Sequence, residues 1–339
     1  MVVPNRPLNH NAPSFLQIMT APHFQDFDHG ISLIDADYQR RGLAAIYLIV
    51  GGNRAALIDT GTSLSVLGVI RVLRAKRIPL ENVDFVIPTH VHLDHAGGAG
   101  AMMRKFPNAR LVIHPRGARH MIDPSRLIAG VTDVYGPEWV ARYFGDILPV
   151  AADRVIEAPD HFTLEFNGRE LLFLDTPGHA RHHFAVVDNH SSRGIFAGDT
   201  FGVSYREFDT LKGAFILPAT PPVQFDPPAH HATIDRLAGL CPRRIFLTHF
   251  GFVTEVDRLA RDMHELLDAY VELANQVREA GAARIGQLIQ GQRDILYPRL
   301  AQHGCKLDEN QIEMLLTGDL KINAQGLAFW LDHDSSRKN

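Results

Sequence analysis

Thr89-His90-Val91-His92-Leu93-Asp94-His95 packs four metal-capable side chains into six residues, three of them imidazoles. An apolar run, Val83 to Ile87, precedes the stretch, and Gly97-Gly98 follows it. This order reads as a strand that delivers a ligand loop, then a helix leading away. Neutral imidazole nitrogen and carboxylate oxygen are the donors preferred by zinc and its borderline neighbours. Residues two apart on an extended segment point the same way, so His90, His92 and Asp94 can face one cavity, and His95 joins them if the chain turns there. A polar loop with chance histidines accounts for one such residue more easily than for four at this spacing.

Four further stretches extend the pattern in order: Ile58-Asp59-Thr60-Gly61, Thr176-Pro177-Gly178-His179, Ala197-Gly198-Asp199-Thr200 and Leu247-Thr248-His249-Phe250-Gly251. With the T-H-x-H-x-D-H stretch they resemble the five motifs of the metallo-β-lactamase-fold superfamily, in its glyoxalase II and lactonase branch of hydrolases. The resemblance spans Asp59 to His249. It implies a four-layer αββα sandwich of two mixed sheets. It also implies two adjoining metal sites: His90, His92 and His179 hold the first, Asp94, His95 and His249 the second, and Asp199 bridges them. The ions would be two divalent cations, zinc foremost, with iron and manganese accepted by the same donors. The activity implied is a metal-dependent hydrolase in which a hydroxide bridging the ions cleaves a small ester, thioester or lactone. Asp94 and Asp199 are its catalytic carboxylates.

The same ligands serve relatives that cleave phosphodiesters, including RNA-processing nucleases, and a mononuclear iron oxidoreductase of the persulfide dioxygenase type is a further alternative. A di-iron, flavodoxin-linked enzyme is disfavoured, since that branch typically carries Glu where this chain has His92. Asp59 is read behind the ligands, fixing the loop and the imidazoles, with a carboxylate at a helix start near Thr62 as the plainer reading. In Ala180-Arg181-His182-His183 one imidazole either faces the substrate or is a hydrogen-bonded strand residue, and His183 is the candidate contact. Tyr205 is the second, by analogy with a substrate-polarising tyrosine of lactonases, although its spacing after Asp199 is longer here.

The 339 residues allow one large core and an appendage. Lys plus Arg number 34 against 38 Asp plus Glu, with no basic block, so nucleic acid is not an expected partner and a small molecule is. Two cysteines, Cys241 and Cys305, make no disulfide framework. No signal peptide and no membrane-length apolar run is evident, so the expectation is a cytoplasmic protein without a membrane partner.

Along the chain, residues 1–25 read as irregular. Leu43 to Ile58 reads as a hairpin ending at Asp59, and a helix follows to about Lys76. Gly100 to Phe106 looks helical and Arg110 to His114 extended. The stretch 115–150 reads as an irregular insertion that either packs its own small core or walls the substrate pocket. His161 to Asp175 makes a hairpin through Asn167-Gly168. Five prolines between Pro218 and Pro228 exclude regular structure there, and a helix is expected from Ala229. From Glu255 apolar residues recur at helical spacing. The predicted division is a catalytic domain over 1–254, with the insertion at about 115–150, and a helical region over 255–339 packed on it.

Overall fold

The computed structural model describes residues 23–191 and 193–334. The irregular segment expected over residues 1–25 lies outside them up to residue 22, and its described end is not irregular but enters a strand, Phe24–Asp26.

Two sheets face each other. The first contains β1 (Phe24–Asp26), β2 (Ile31–Asp35), β3 (Ala45–Gly51), β4 (Arg54–Ile58), β5 (Val83–Ile87), β6 (Arg110–Ile113) and β7 (Val155–Glu157), side by side in chain order. The first three pairings are antiparallel and the last three parallel. The second contains β8 (Thr163–Phe166), β9 (Arg169–Asp175), β10 (Phe184–Asp188), β11 (Gly194–Gly198), β12 (Ile245–Leu247) and β13 (Gly251–Val253). Only its β11–β12 pairing is parallel, so both sheets are mixed.

Alternation along the strands sorts residues between layers. On β3, Ala45, Tyr47 and Ile49 enter the core between the sheets, whereas Ile46 and Leu48 pack outward against helices. On β10, Phe184 and Val186 face inward while Ala185 and Val187 face the opposite helical layer. Tyr47 ties the sheets together by donating its hydroxyl to the carbonyls of Leu247 and Gly251, at 2.6 and 2.8 Å.

The helices over the first sheet are α1 (Val66–Ala75), the short α2 (Leu93–Ala96), α3 (Ala99–Lys105), α4 (Pro115–Ile122), α5 (Ser125–Tyr135) and α6 (Pro137–Tyr143). The stretch 115–150 is thus largely helical rather than irregular. Pro115 occupies the first turn of α4, where its missing N–H costs nothing, and the His114 ring caps the turn by accepting from Arg116 N. Met121, Val140 and Phe144 join the core that covers the first sheet, so the insertion does not keep a core of its own.

Over the second sheet lie α7 (Pro227–Ala238), α8 (Val256–Gln276), α9 (Arg284–His303) and α10 (Glu309–Asp334). The last spans 26 residues. It runs unbroken through Gly318 because Leu316, Leu320, Ala324, Leu327 and Leu331 continue one buried stripe, which outweighs the roughly 1 kcal/mol that an interior glycine costs. The stripe shares a core with the outer face of the second sheet, including Ile195, Ile245 and Leu247.

Helix α10 also grips the proline-rich loop. Asn323 accepts from Thr220 N (2.7 Å) and donates to Pro218 O (3.0 Å). Gly326 sits against the same loop: a Cβ there would overlap the carbonyl oxygen of Thr220, whereas Gly318 faces open space. Gly326→Ala is therefore expected to destabilise the fold by about 1–3 kcal/mol, as overpacking does. Gly318→Ala should be neutral or stabilising by up to about 1 kcal/mol. Urea denaturation of the two variants checks this, and equal midpoints would show that the helix does not pack so closely on the loop.

Candidate metal centre

The polar motifs converge at one edge of the sandwich. His90 and His92 follow β5, Asp94 and His95 occupy the first turn of α2, His179 lies between β9 and β10, Asp199 follows β11, and His249 follows β12. Gly198 makes the bend before Asp199 at φ +51°, where a Cβ would also press on Thr89 and His183.

Two ligand groups result: His90, His92, His179 and Asp199 in one, and Asp94, His95 and His249 in the other. Asp199 stands between them. Its Oδ2 is 3.4 Å from His179 Nε2, and its Oδ1 is 3.2 Å from His95 Nε2 and 3.6 Å from His249 Nε2. Asp94 Oδ2 lies 3.3 Å from His249 Nε2 and 3.6 Å from His95 Nε2.

The donor set fits cations. His92 Nδ1 is 2.8 Å from His90 Nε2 and 3.1 Å from His179 Nε2. Thr89 Oγ1 donates to Asp59 and so accepts from His90 Nδ1–H, and Ala219 O accepts from His179 Nδ1–H. Both Nε2 atoms therefore present lone pairs, and the single proton that His92 Nδ1 can carry satisfies only one of them. In addition, His95 Nε2 and Asp199 Oδ1 are buried and, although 3.2 Å apart, are not aligned for a hydrogen bond to each other and have no other hydrogen-bond partner among the described residues. Buried polar atoms left this way are costly unless an ion uses them.

Charge in the site is organised to match. Burial depresses the imidazoles of His90, His92 and His179, the last to about 3, so they are neutral at pH 7. Burial opposes charge on the two carboxylates as well, but the His95 and His249 rings outweigh it and hold Asp94 at about 2 and Asp199 well below the carboxylate range. Conversely, burial works against charging those two rings, yet Asp199 and Asp94 raise His249 to about 9 and His95 well above an ordinary imidazole, with Asp59 adding to the latter. The carboxylates demand positive charge at the points where ions would lie.

Asp59 orients this constellation from behind. Its Oδ1 accepts from Thr89 N (2.7 Å), and its Oδ2 accepts from His95 Nδ1 (2.9 Å) and Thr248 Oγ1 (2.7 Å). With Nδ1 of His95 bound to Asp59 and Nδ1 of His249 bound to Leu43 O, both rings turn Nε2 inward.

The two candidate substrate contacts behave otherwise. His183 is 0% exposed. Its Nδ1 bonds Thr176 Oγ1 at 2.7 Å and its Nε2 accepts from the backbone N–H of Asp199 at 3.3 Å. It positions Asp199 and touches no cleft. Tyr205 is 1% exposed, and its hydroxyl donates to Asp319 of α10 at 3.0 Å while the Arg40 guanidinium lies 4.6 Å from its ring centre. Burial pushes the Asp319 carboxyl up to about 6, against the pull of His249, the Tyr205 hydroxyl and Arg40. Tyr205 cannot offer its proton to a substrate while Asp319 holds it.

His182 faces the cleft instead. Its ring centre is 5.7 Å from that of His92 and 6.5 Å from that of His120 on α4. On the other side, Tyr38 and Tyr135 feel the charge of Asp94, which adds to burial in raising both phenols. Tyr135 stacks on Trp139 at 4.4 Å and Tyr38 on Phe144 at 5.6 Å, forming an aromatic wall to which the insertion supplies Tyr135, Trp139 and Phe144. Apart from the neighbours Tyr135 and Trp139, these contacts join residues distant in sequence, and no local pattern marks them.

Residues 40–249 match the metallo-beta-lactamase superfamily model, and the chain belongs to that superfamily. It is 26% identical over 216 residues to the metallo-beta-lactamase fold-containing protein ST1585 of Sulfurisphaera tokodaii, covering 62% of this chain and 74% of that one. The crystal structure of ST1585 aligns with a TM-score of 0.61 at 20% identity, over 88% of this chain and 98% of that chain, which bears on the fold alone. The hydroxyacylglutathione hydrolase of Aeromonas salmonicida is 24% identical over 299 residues, 85% of this chain and 94% of that protein. The human acyl-coenzyme A thioesterase MBLAC2 is 25% identical over 176 residues, 48% of this chain and 60% of that protein. No helix among the described residues is long and apolar enough to cross a membrane.

Proposed function

We propose that this chain is a dinuclear metallohydrolase of small acyl compounds, with thioesters as the preferred class and other esters and lactones behind them. The observation that carries the reading is Asp199, whose two oxygens face the two ligand groups separately. Divalent ions, zinc foremost, would supply a bound water of pKa near 7 and an electrophile for the acyl oxygen. His90, His92 and His179, kept neutral by burial, would hold one ion. Asp94, His95 and His249 would hold the other, and Asp199 would serve both. Asp94, held ionised, can accept a hydrogen bond from the attacking water and aim it.

Two features favour a thioester. A thiolate, the conjugate of a thiol with pKa about 8.5, leaves with less help from a proton donor than an alkoxide, and the Tyr205 proton is committed to Asp319. The chain is also similar along most of its length to a hydroxyacylglutathione hydrolase, whose named substrate is a thioester.

Elemental analysis of protein purified without added metal, combined with a panel of thioesters, esters, lactones and a phosphodiester, tests the proposal. About two divalent ions per chain are expected, with thioester hydrolysis that a chelator abolishes and zinc or manganese restores. One iron per chain with oxygen uptake on a persulfide, or cleavage of the phosphodiester alone, would replace this reading.

A further inference from the structure

Beside the ligand groups lies a cleft of about 640 Å³ lined by Pro115, Arg116, Arg119, His120, Arg181, His182 and Gln224. Three guanidinium groups meet there from two separate segments. Arg116 donates to the carbonyl of Arg181 at 3.2 Å, and Arg181 N donates to Gln224 Oε1 at 2.7 Å, so side chain and loop hold the cluster together. None of Arg116, Arg119 and Arg181 pairs with a carboxylate among the described residues, whereas Arg40, Arg169 and Arg258 each do, at 2.9, 2.6 and 2.8 Å. Like charges gathered without a counter-charge raise the energy of the folded chain unless an anion joins them.

A second observation points the same way. His182 is only 6% exposed, lines this cleft, and leaves its Nδ1 without a hydrogen-bond partner among the described residues. Its ring centre lies 5.7 Å from that of the ligand candidate His92 and 6.5 Å from that of His120 in the cleft wall. The guanidinium-lined cleft therefore adjoins the metal centre through His182, which carries an unused imidazole nitrogen.

We propose that Arg116, Arg119 and Arg181, with His182, bind an anionic handle on the thiol half of the substrate, while the reacting acyl group lies over the ions and against the Tyr38–Tyr135 wall. The shared chemistry is a multiply charged oxyanion, either phosphate or paired carboxylates. Planar guanidinium groups grip such oxygens two at a time. The proposal rests on the hydrolase reading above only for the identity of the bond between handle and ions. The handle itself is tested without turnover.

The experiment is calorimetric titration of metal-loaded protein with three non-hydrolysable thioethers. S-methyl-coenzyme A carries phosphates, S-methylglutathione carries carboxylates, and S-methylpantetheine carries no charge. Wild type is expected to bind one of the charged pair at least about tenfold more tightly than S-methylpantetheine, since one charge-assisted hydrogen bond is worth that much or more. Arg116→Ala/Arg181→Ala should erase that advantage while binding S-methylpantetheine unchanged. Both arginines are exposed, and Arg116→Lys/Arg181→Lys, which keeps the charge but not the fork, should restore part of it. Whichever charged thioether shows the arginine-dependent gain identifies the handle. Equal affinity for all three, or a gain that survives the double variant, overturns the proposal. So does a short single-stranded RNA that binds through these arginines more tightly than either thioether. Arginine-dependent binding in a protein that hydrolyses no thioester would leave the handle standing and remove the hydrolase reading.

Discussion

Asp199→Asn is expected to bring metal content below two ions per chain and to lower hydrolysis by about two orders of magnitude or more, the scale seen when a catalytic electrostatic group is lost. The reason lies in the division of its oxygens: Oδ2 faces His179, while Oδ1 faces His95 and His249 and has no other partner. An amide keeps the shape but removes one negative charge and one of the two ligand oxygens. Its NH2 would point a donor at lone pairs. The change should hurt more than loss of any single imidazole, because each imidazole serves one group only. Metal analysis with single-turnover kinetics measures both effects. Full activity with two ions retained would refute the bridging role.

Asp59→Asn should lower metal affinity by about 10- to 100-fold, as loss of a ligand-orienting partner does, with activity falling in step with occupancy. Asp59 accepts at both oxygens: from Thr89 N and Oγ1 on one side, from His95 Nδ1 and Thr248 Oγ1 on the other. An asparagine can accept on one side only. If its NH2 faces His95, the ring must shift its proton to Nε2, the atom that faces Asp199 and Asp94. If its NH2 faces Thr89, two donors oppose each other under the loop carrying His90. Chelator competition with zinc, alongside circular dichroism to verify folding, measures the loss. Affinity within threefold of wild type would mean that the loop orients itself without this carboxylate.

These two residues also mark where sequence is informative. The ligand motifs are short, local and placed at strand ends, so spacing alone brought out His90, His92, Asp94 and His95, and the resemblance supplied their distant partners. Roles that depend on where a side chain points were less legible. His182 and His183 are adjacent, the first in a turn and the second directly before the strand that begins at Phe184, and their rings face different ways. Spacing does not say which way, and it is His182 that faces the cleft. Tyr205 follows Asp199 closely, but its hydroxyl is captured by Asp319, more than a hundred residues later. The short strands Phe24–Asp26, Ile31–Asp35 and Val155–Glu157 carry too few residues for their alternation to stand out. The arginine cleft draws on α4, the segment after His179 and the proline-rich loop, which no one-dimensional pattern connects.

The grip of Asn323 on the proline-rich loop carries a consequence for where this protein can be cut. The loop residue between its two contacts, Ala219, is the one whose carbonyl holds Nδ1 of His179. One of the histidines of the ligand groups is thus steadied by a helix that begins sixty residues after the superfamily match ends at residue 249. The recognisable family segment and the unit that keeps its ligands aimed are different lengths of chain. Boundaries drawn at the match would separate His179 from its own support.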